Sequence, residues 1–170
     1  MKLLGVCFVL LSAGSVGFQL AGELKRRCML LRALLDALHV LQGEILYNAT
    51  PLPQAFALMA ASSKGAPAEL FSGMAKEMDK RKWLTPLAAL EGKLKEIPEF
   101  ADNAEACDVL RVLMTGLGKY DQDSQQLSLK QAREGLEQSL AKAEQERSVR
   151  SKTFEVLGIC AGLSLVILLI

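Results

Sequence analysis

LRALLDALHVLQGEI, residues 31–45, decides the fold. Leu31, Leu34, Leu35, Leu38, Leu41 and Ile45 recur at spacings of three and four, the pattern of one apolar face on an α-helix. Asn48-Ala49-Thr50-Pro51 then breaks the run. Thr50 has the chemistry of a cap for a second helix, with Pro51 at its first position, where a missing N–H costs nothing. That second helix carries Leu52, Phe56 and Met59.

The same punctuation continues downstream. Gly65 closes the second helix and Pro67 opens a third, through Leu70, Phe71 and Met74. Thr85-Pro86 starts a fourth with Leu87 and Leu90, and Ile97-Pro98 ends it. Asp102 and Glu105 have capping-box spacing for a fifth, through Val109, Leu113 and Leu117, stopped by Gly116 and Gly118. After Asp121 no proline occurs. Leu129, Leu136, Leu140 and Ala143 share a face, so one long helix is expected from about Ser124 into the C-terminal apolar segment. Gly135 is its expected weak point, at about 1 kcal/mol relative to Ala. No alternating β-pattern appears, and the fold class is all-α: an antiparallel bundle of about six helices. Thr50-Pro51-Leu52 and Thr85-Pro86-Leu87 hint at a doubled helical unit; a common cap motif used twice explains them equally well.

Both ends of the chain are apolar. Leu3–Ala21 and Val156–Ile170 contain no charged residue. As helices they reach about 28 Å and about 22 Å, against a hydrocarbon core of about 30 Å. Membrane helices at residues 3–22 and 154–170 are therefore expected to flank a body at 23–153. A cleaved signal peptide is the alternative for the first, with Lys2 as its basic region and Ala13-Gly14-Ser15 or Ala21-Gly22 as small residues. A second apolar segment at the other end speaks against export and release. Lys25, Arg26 and Arg27 follow the first segment, and Arg147, Arg150 and Lys152 precede the second. The positive-inside rule thus places the body in the cytoplasm. Ala13, Gly17 and Ala21 share one face of the first span, and Gly158 and Gly162 form a G-x-x-x-G in the second. Small faces allow close helix packing in lipid, within one chain, against a partner's spans or in an oligomer; chance in Gly/Ala-rich apolar sequence gives the same pattern.

Composition narrows the function. The 170 residues carry a net charge of +1, which offers no global field to nucleic acid. The four cysteines are scattered without a C-x-x-C and His39 is the only histidine. This is too thin a donor set for zinc and fits a reducing compartment. No P-loop, H-E-x-x-H or G-x-S-x-G occurs. His39, one turn after Asp36, is the nearest approach to an acid–base pair; on a leucine-rich helix a partly buried structural role is the simpler reading. Asp121 and Asp123 suit the start of the long helix, where acidic groups complement the dipole. Trp83, beside Arg81 and Lys82, is expected in the core, with an exposed contact as the alternative. Glu44 lies four residues before Asn48, and a helix-pinning hydrogen bond and a partner contact are both open there. No catalytic residue, cofactor or metal is expected.

Two motifs carry a resemblance. Glu44-Ile45-x-Tyr47-x-x-Thr50-Pro51-Leu52-x-x-Ala55 resembles the pattern of the stage III sporulation protein AB family. So does Leu117-Gly118-x-x-Asp121-x-x-x-Gln125, followed by a charged helix and Leu157-Gly158-x-x-x-Gly162. Lys2-Leu3-Leu4-Gly5 fits as well, so the resemblance spans nearly the whole chain; the Ala/Gly-rich Ser62–Pro67 segment is where helix placement could depart from it. The resemblance implies a non-enzymatic scaffold in the mother-cell-side membrane, within the complex that links mother cell and forespore in endospore formation. It implies a body similar to the cytoplasmic domain of the type II secretion F platform protein. It also implies two kinds of partner: a cytosolic secretion-type ATPase and the other membrane proteins of the complex. The contact surface expected is the corner Glu44, Tyr47, Thr50, Pro51 and Leu52 with the turn Leu117, Gly118, Asp121 and Gln125, since loops at helix ends carry function on a rigid scaffold. A membrane-anchored regulatory module signalling through the long helix, and a His39-dependent membrane enzyme, are the competing classes.

Overall fold

The computed structural model describes residues 2–117 and 122–169, with side chains over 22–117 and 123–149. Six α-helices follow one another: α1 Lys2–Leu46, α2 Leu52–Ser62, α3 Ala66–Lys80, α4 Pro86–Leu94, α5 Ala104–Leu117 and α6 Gln122–Leu169. A single 3-10 turn, Pro98–Phe100, sits between α4 and α5. The described residues contain no strand. The expected helix at 23–47 is the latter part of α1, which runs on from Lys2 without a loop.

Contacts divide the chain into two compact units, Met29–Leu140 and a second composed of Met1–Cys28 with Ala141–Ile170. In the first, α2 packs on α3, α3 on α4 and α4 on α5. Leu31, Leu34, Leu38 and Leu41 are buried as their spacing predicts, while Leu35 and Ile45 are half-buried at the edge of the stripe. Phe56 and Phe71 stack with ring centroids 6.3 Å apart and planes 12° from parallel, an offset pairing that joins α2 to α3. In the second unit Leu24, Cys28 and Ala143 are buried, and Arg27 lies 3.8 Å from Glu146.

The two Thr-Pro starts are used differently. Thr85 caps α4, accepting a hydrogen bond from the Ala88 N–H at 3.3 Å, with Pro86 in the first turn. Thr50 does not cap α2. Pro51 is the cap residue and makes no side-chain cap bond, because the Thr50 hydroxyl is committed to Glu44. The hint of duplication therefore does not extend to the local geometry. Asp102 does not start α5 either: the Asn103 carbonyl accepts the first helical bond, from Cys107 N–H at 3.1 Å. Gly65, at φ +66, precedes α3 in a conformation that L side chains rarely adopt.

Glycine sets the approach of α5 to α6. A Cβ at Gly116 would collide with the Ser128 side chain, and one at Gly135 would lie 2.9 Å from Val109 Cγ2. Gly116 is thus inside α5 rather than its stop, and Gly135 is a contact point as well as a weak helix former. Across the α4–α5 seam Arg111 donates to Glu91 at 2.6 Å, and within α5 it donates to Asp108 at 2.7 Å. Both bonds hold its guanidinium still more firmly protonated than usual.

The expected packing residues Ala13, Gly17, Ala21, Gly158 and Gly162 lie outside the residues whose side chains are described. Among the described residues no helix is long and apolar enough to cross a membrane. Gly118 and Asp121 also fall outside the described residues.

Candidate functional site

The corner after α1 is a closed hydrogen-bonded device. Glu44 on the last turn of α1 receives the Thr50 hydroxyl on Oε2 at 2.5 Å and Asn48 Nδ2 on Oε1 at 3.1 Å. Its backbone carbonyl accepts the Thr50 N–H at 2.9 Å. The sequence supplies this arrangement locally: one carboxylate at the end of a helix faces two short polar side chains within six residues. To close the loop, Ala49 adopts φ +50, the left-handed region that costs a non-glycine residue about 1 kcal/mol or more. Of the two readings open at Glu44, the helix-pinning hydrogen bond is present.

Two predictions follow from this geometry. Glu44→Ala leaves two donors unpaired and should lower the unfolding free energy by about 1.5–3 kcal/mol, since bonds to a charged acceptor are the stronger class; urea denaturation measures it. Ala49→Gly relieves the left-handed alanine and should raise stability by about 0.5–1 kcal/mol, the unfolded-state entropy of glycine offsetting part of the gain. A shift of the same transition to higher urea checks it.

The other expected contact residues take different positions. Tyr47 is 85% exposed, held on the corner by its N–H bond to the Gly43 carbonyl at 3.1 Å. Pro51 is exposed and Leu52 half-buried at the start of α2. Leu117 is buried and serves the core, while Gln125 is half-buried on the first turns of α6.

His39 departs from expectation. It is exposed rather than partly buried, and it shares with Asp36, Arg133 and Glu137 a shallow recess of about 220 Å³. Arg133 Nε donates to Glu137 at 2.8 Å, so both charges are already matched. Among the described residues no group of three or more His, Cys, Asp or Glu could hold a metal ion. Cys107 is buried and donates to the Phe100 carbonyl at 3.3 Å, and burial pushes its thiol up, away from the reactive thiolate.

Trp83 also departs from expectation. It is 78% exposed, on the turn between α3 and α4. That turn is ordered: Arg81 N–H donates to the Glu77 carbonyl at 2.9 Å and Leu84 N–H to the Arg81 carbonyl at 2.8 Å. Periodicity gave no warning, because a turn residue belongs to no helical face; the basic neighbours Arg81 and Lys82 were the available signal.

The geometry is therefore a helical body with a pinned corner and exposed aromatics on its turns. Comparison with known proteins identifies it: a model of the family described as stage III sporulation protein AB matches residues 2–170. The chain belongs to that family. The family expected from the Glu44–Ala55 and Leu117–Gln125 motifs is the family found. Stage III sporulation protein AB of Bacillus subtilis (strain 168) is 34% identical over 170 residues, covering 99% of each chain. A solved structure of Stage III sporulation protein AB (SpoIIIAB) superposes with a TM-score of 0.65 at 32% identity. The match covers 73% of this chain and 98% of that one. In this chain the Glu44–Thr50 corner is fixed by its own hydrogen bonds.

Proposed function

We propose that this chain is a non-enzymatic scaffold of the mother cell–forespore channel complex in endospore formation. It is seated in the mother-cell membrane by its two apolar ends and docks a secretion-type ATPase through its cytoplasmic helical body. The observation that carries the reading is the family match over residues 2–170. Three further features support it. Residues 3–21 and 156–169 of the apolar stretches are helical, as parts of α1 and α6. Basic residues flank both stretches on the body side, as the positive-inside rule requires of a cytoplasmic body. The exposed aromatics Tyr47 and Trp83 stand on turns, where a rigid helical frame presents contacts to partners.

On this reading the energy of nucleotide hydrolysis comes from the partner. The testing experiment is purification of the full chain from sporulating-cell membranes after a high-salt wash. The expected result is a chain that stays with the membrane and brings the ATPase with it. Release of the intact chain by salt, or turnover of a substrate by the purified chain alone, overturns the reading.

A further inference from the structure

We propose that the Lys80–Trp83 turn is the contact through which the body binds its ATPase, with the Trp83 indole inserted into an apolar pocket rimmed by acidic residues on the ATPase. The proposal rests on the scaffold reading above and names the surface that serves it.

Trp83 is the chain's only tryptophan. Tryptophan buries some 150–250 Å² when covered, and here the indole is left in water. The turn that displays it is fixed on both sides, by the Arg81–Glu77 and Leu84–Arg81 backbone bonds and by the Thr85 cap of α4. Little ordering is then left for the partner to impose, and preorganised aromatic and arginine side chains are the groups that dominate binding energies.

Charge gives the partner its sign. Lys76, Lys80, Arg81 and Lys82 stand against Glu77 and Asp79, a net +2 over seven residues of a chain whose total is +1. Arg81 lies 3.9 Å from Glu77, too loosely held to cancel the patch. A cationic turn around an indole suits an acidic protein surface, and it also suits anionic lipid headgroups. The mixed signs separate the two: Glu77 and Asp79 lie in the same stretch, and carboxylates are repelled by a layer of anionic headgroups, whereas a protein surface matches charge group by group. The α2–α3 hairpin is joined only by residues 63–65, so the end of α3 returns to the start of α2, beside the end of α1. The turn therefore lies near the start of α2 and the end of α1. The same end carries exposed Tyr47. Aromatic anchors on ordered turns favour a protein partner.

The experiment measures affinity of the purified secretion-type ATPase for the full chain in lipid nanodiscs. Trp83→Ala should weaken binding about thirtyfold, the loss expected of a central aromatic contact, with the urea midpoint unchanged because the indole touches little of the body. Lys80→Glu with Lys82→Glu should also weaken binding, and should flatten the salt dependence that the wild-type chain shows. Wild-type binding with unaltered affinity in both variants overturns the proposal and leaves the scaffold reading standing. Loss of binding to phosphatidylglycerol vesicles, or of self-association in sedimentation, with ATPase affinity retained, assigns the turn to lipid or to a second copy and overturns it too. No ATPase binding by the wild-type chain overturns both.

Discussion

Phe71→Ala is expected to lower the unfolding free energy by about 3–5 kcal/mol, the range for removing a buried phenyl ring. Phe71 is 1% exposed and stacks on Phe56. Its loss opens a cavity between α2 and α3 and removes the aromatic pairing. The effect is large because α2 has only 11 residues. A helix of that length is marginal in water and persists through packing of its apolar face. Urea denaturation of the detergent-solubilised full chain, followed by circular dichroism, reads the change. Phe71→Leu keeps most of the volume and should cost no more than about 1.5 kcal/mol. Equal effects of the two substitutions would show that the ring packing carries less than the geometry implies. Because α3 leads into the Trp83 turn, Phe71→Ala should also weaken the binding proposed for that turn, whereas Trp83→Ala should leave stability unchanged.

Gly116→Ala is expected to destabilise by about 2–3 kcal/mol, the upper part of the range for overpacking. Helix propensity alone predicts the opposite sign, a gain of about 1 kcal/mol. The difference is Ser128, whose side chain occupies the space a Cβ would need. Ser128 cannot easily turn away, since its hydroxyl donates to the Ser124 carbonyl at 2.7 Å. Adding Ser128→Gly should recover part of the loss. Gly92→Ala is the internal control: it lies in α4 with nothing within 4 Å of an added Cβ. It should stabilise by about 0.5–1 kcal/mol. Destabilisation at position 92, or stabilisation at 116, would contradict the packing described for the α5–α6 seam.

Much of this architecture is legible in the residues. The Leu31–Leu41 spacing, Gly65-Ala66-Pro67, Thr85-Pro86 and Ile97-Pro98 report local preferences that tertiary contacts leave in place, so their helices fall where periodicity and punctuation put them. Thr50-Pro51 misled because a cap hydroxyl and a corner hydroxyl look alike in sequence. The carboxylate of Glu44, six residues away, competes for it and wins. Gly116 and Gly135 read as a helix stop and a helix flaw, since the neighbour that makes them necessary lies on another helix. Trp83 and His39 were expected inside or half-inside on hydrophobicity and helix face; both are exposed, one on a turn and one on the outer side of α1. Of the expected contact surface, Tyr47 emerges as accessible, Leu117 as core, and Glu44 with Thr50 as the frame that displays Tyr47. Membership of the family rested on short motifs whose order and spacing together were specific, although each alone was not.

The proposed role, giving an ATPase its place at a membrane, can be tested by reconstitution. The most direct measurement is flotation of the purified secretion-type ATPase with vesicles carrying the reconstituted full chain, beside vesicles without it. The ATPase is expected to rise with the first and to stay at the bottom with the second. An ATPase that floats equally with both, or with neither, contradicts it.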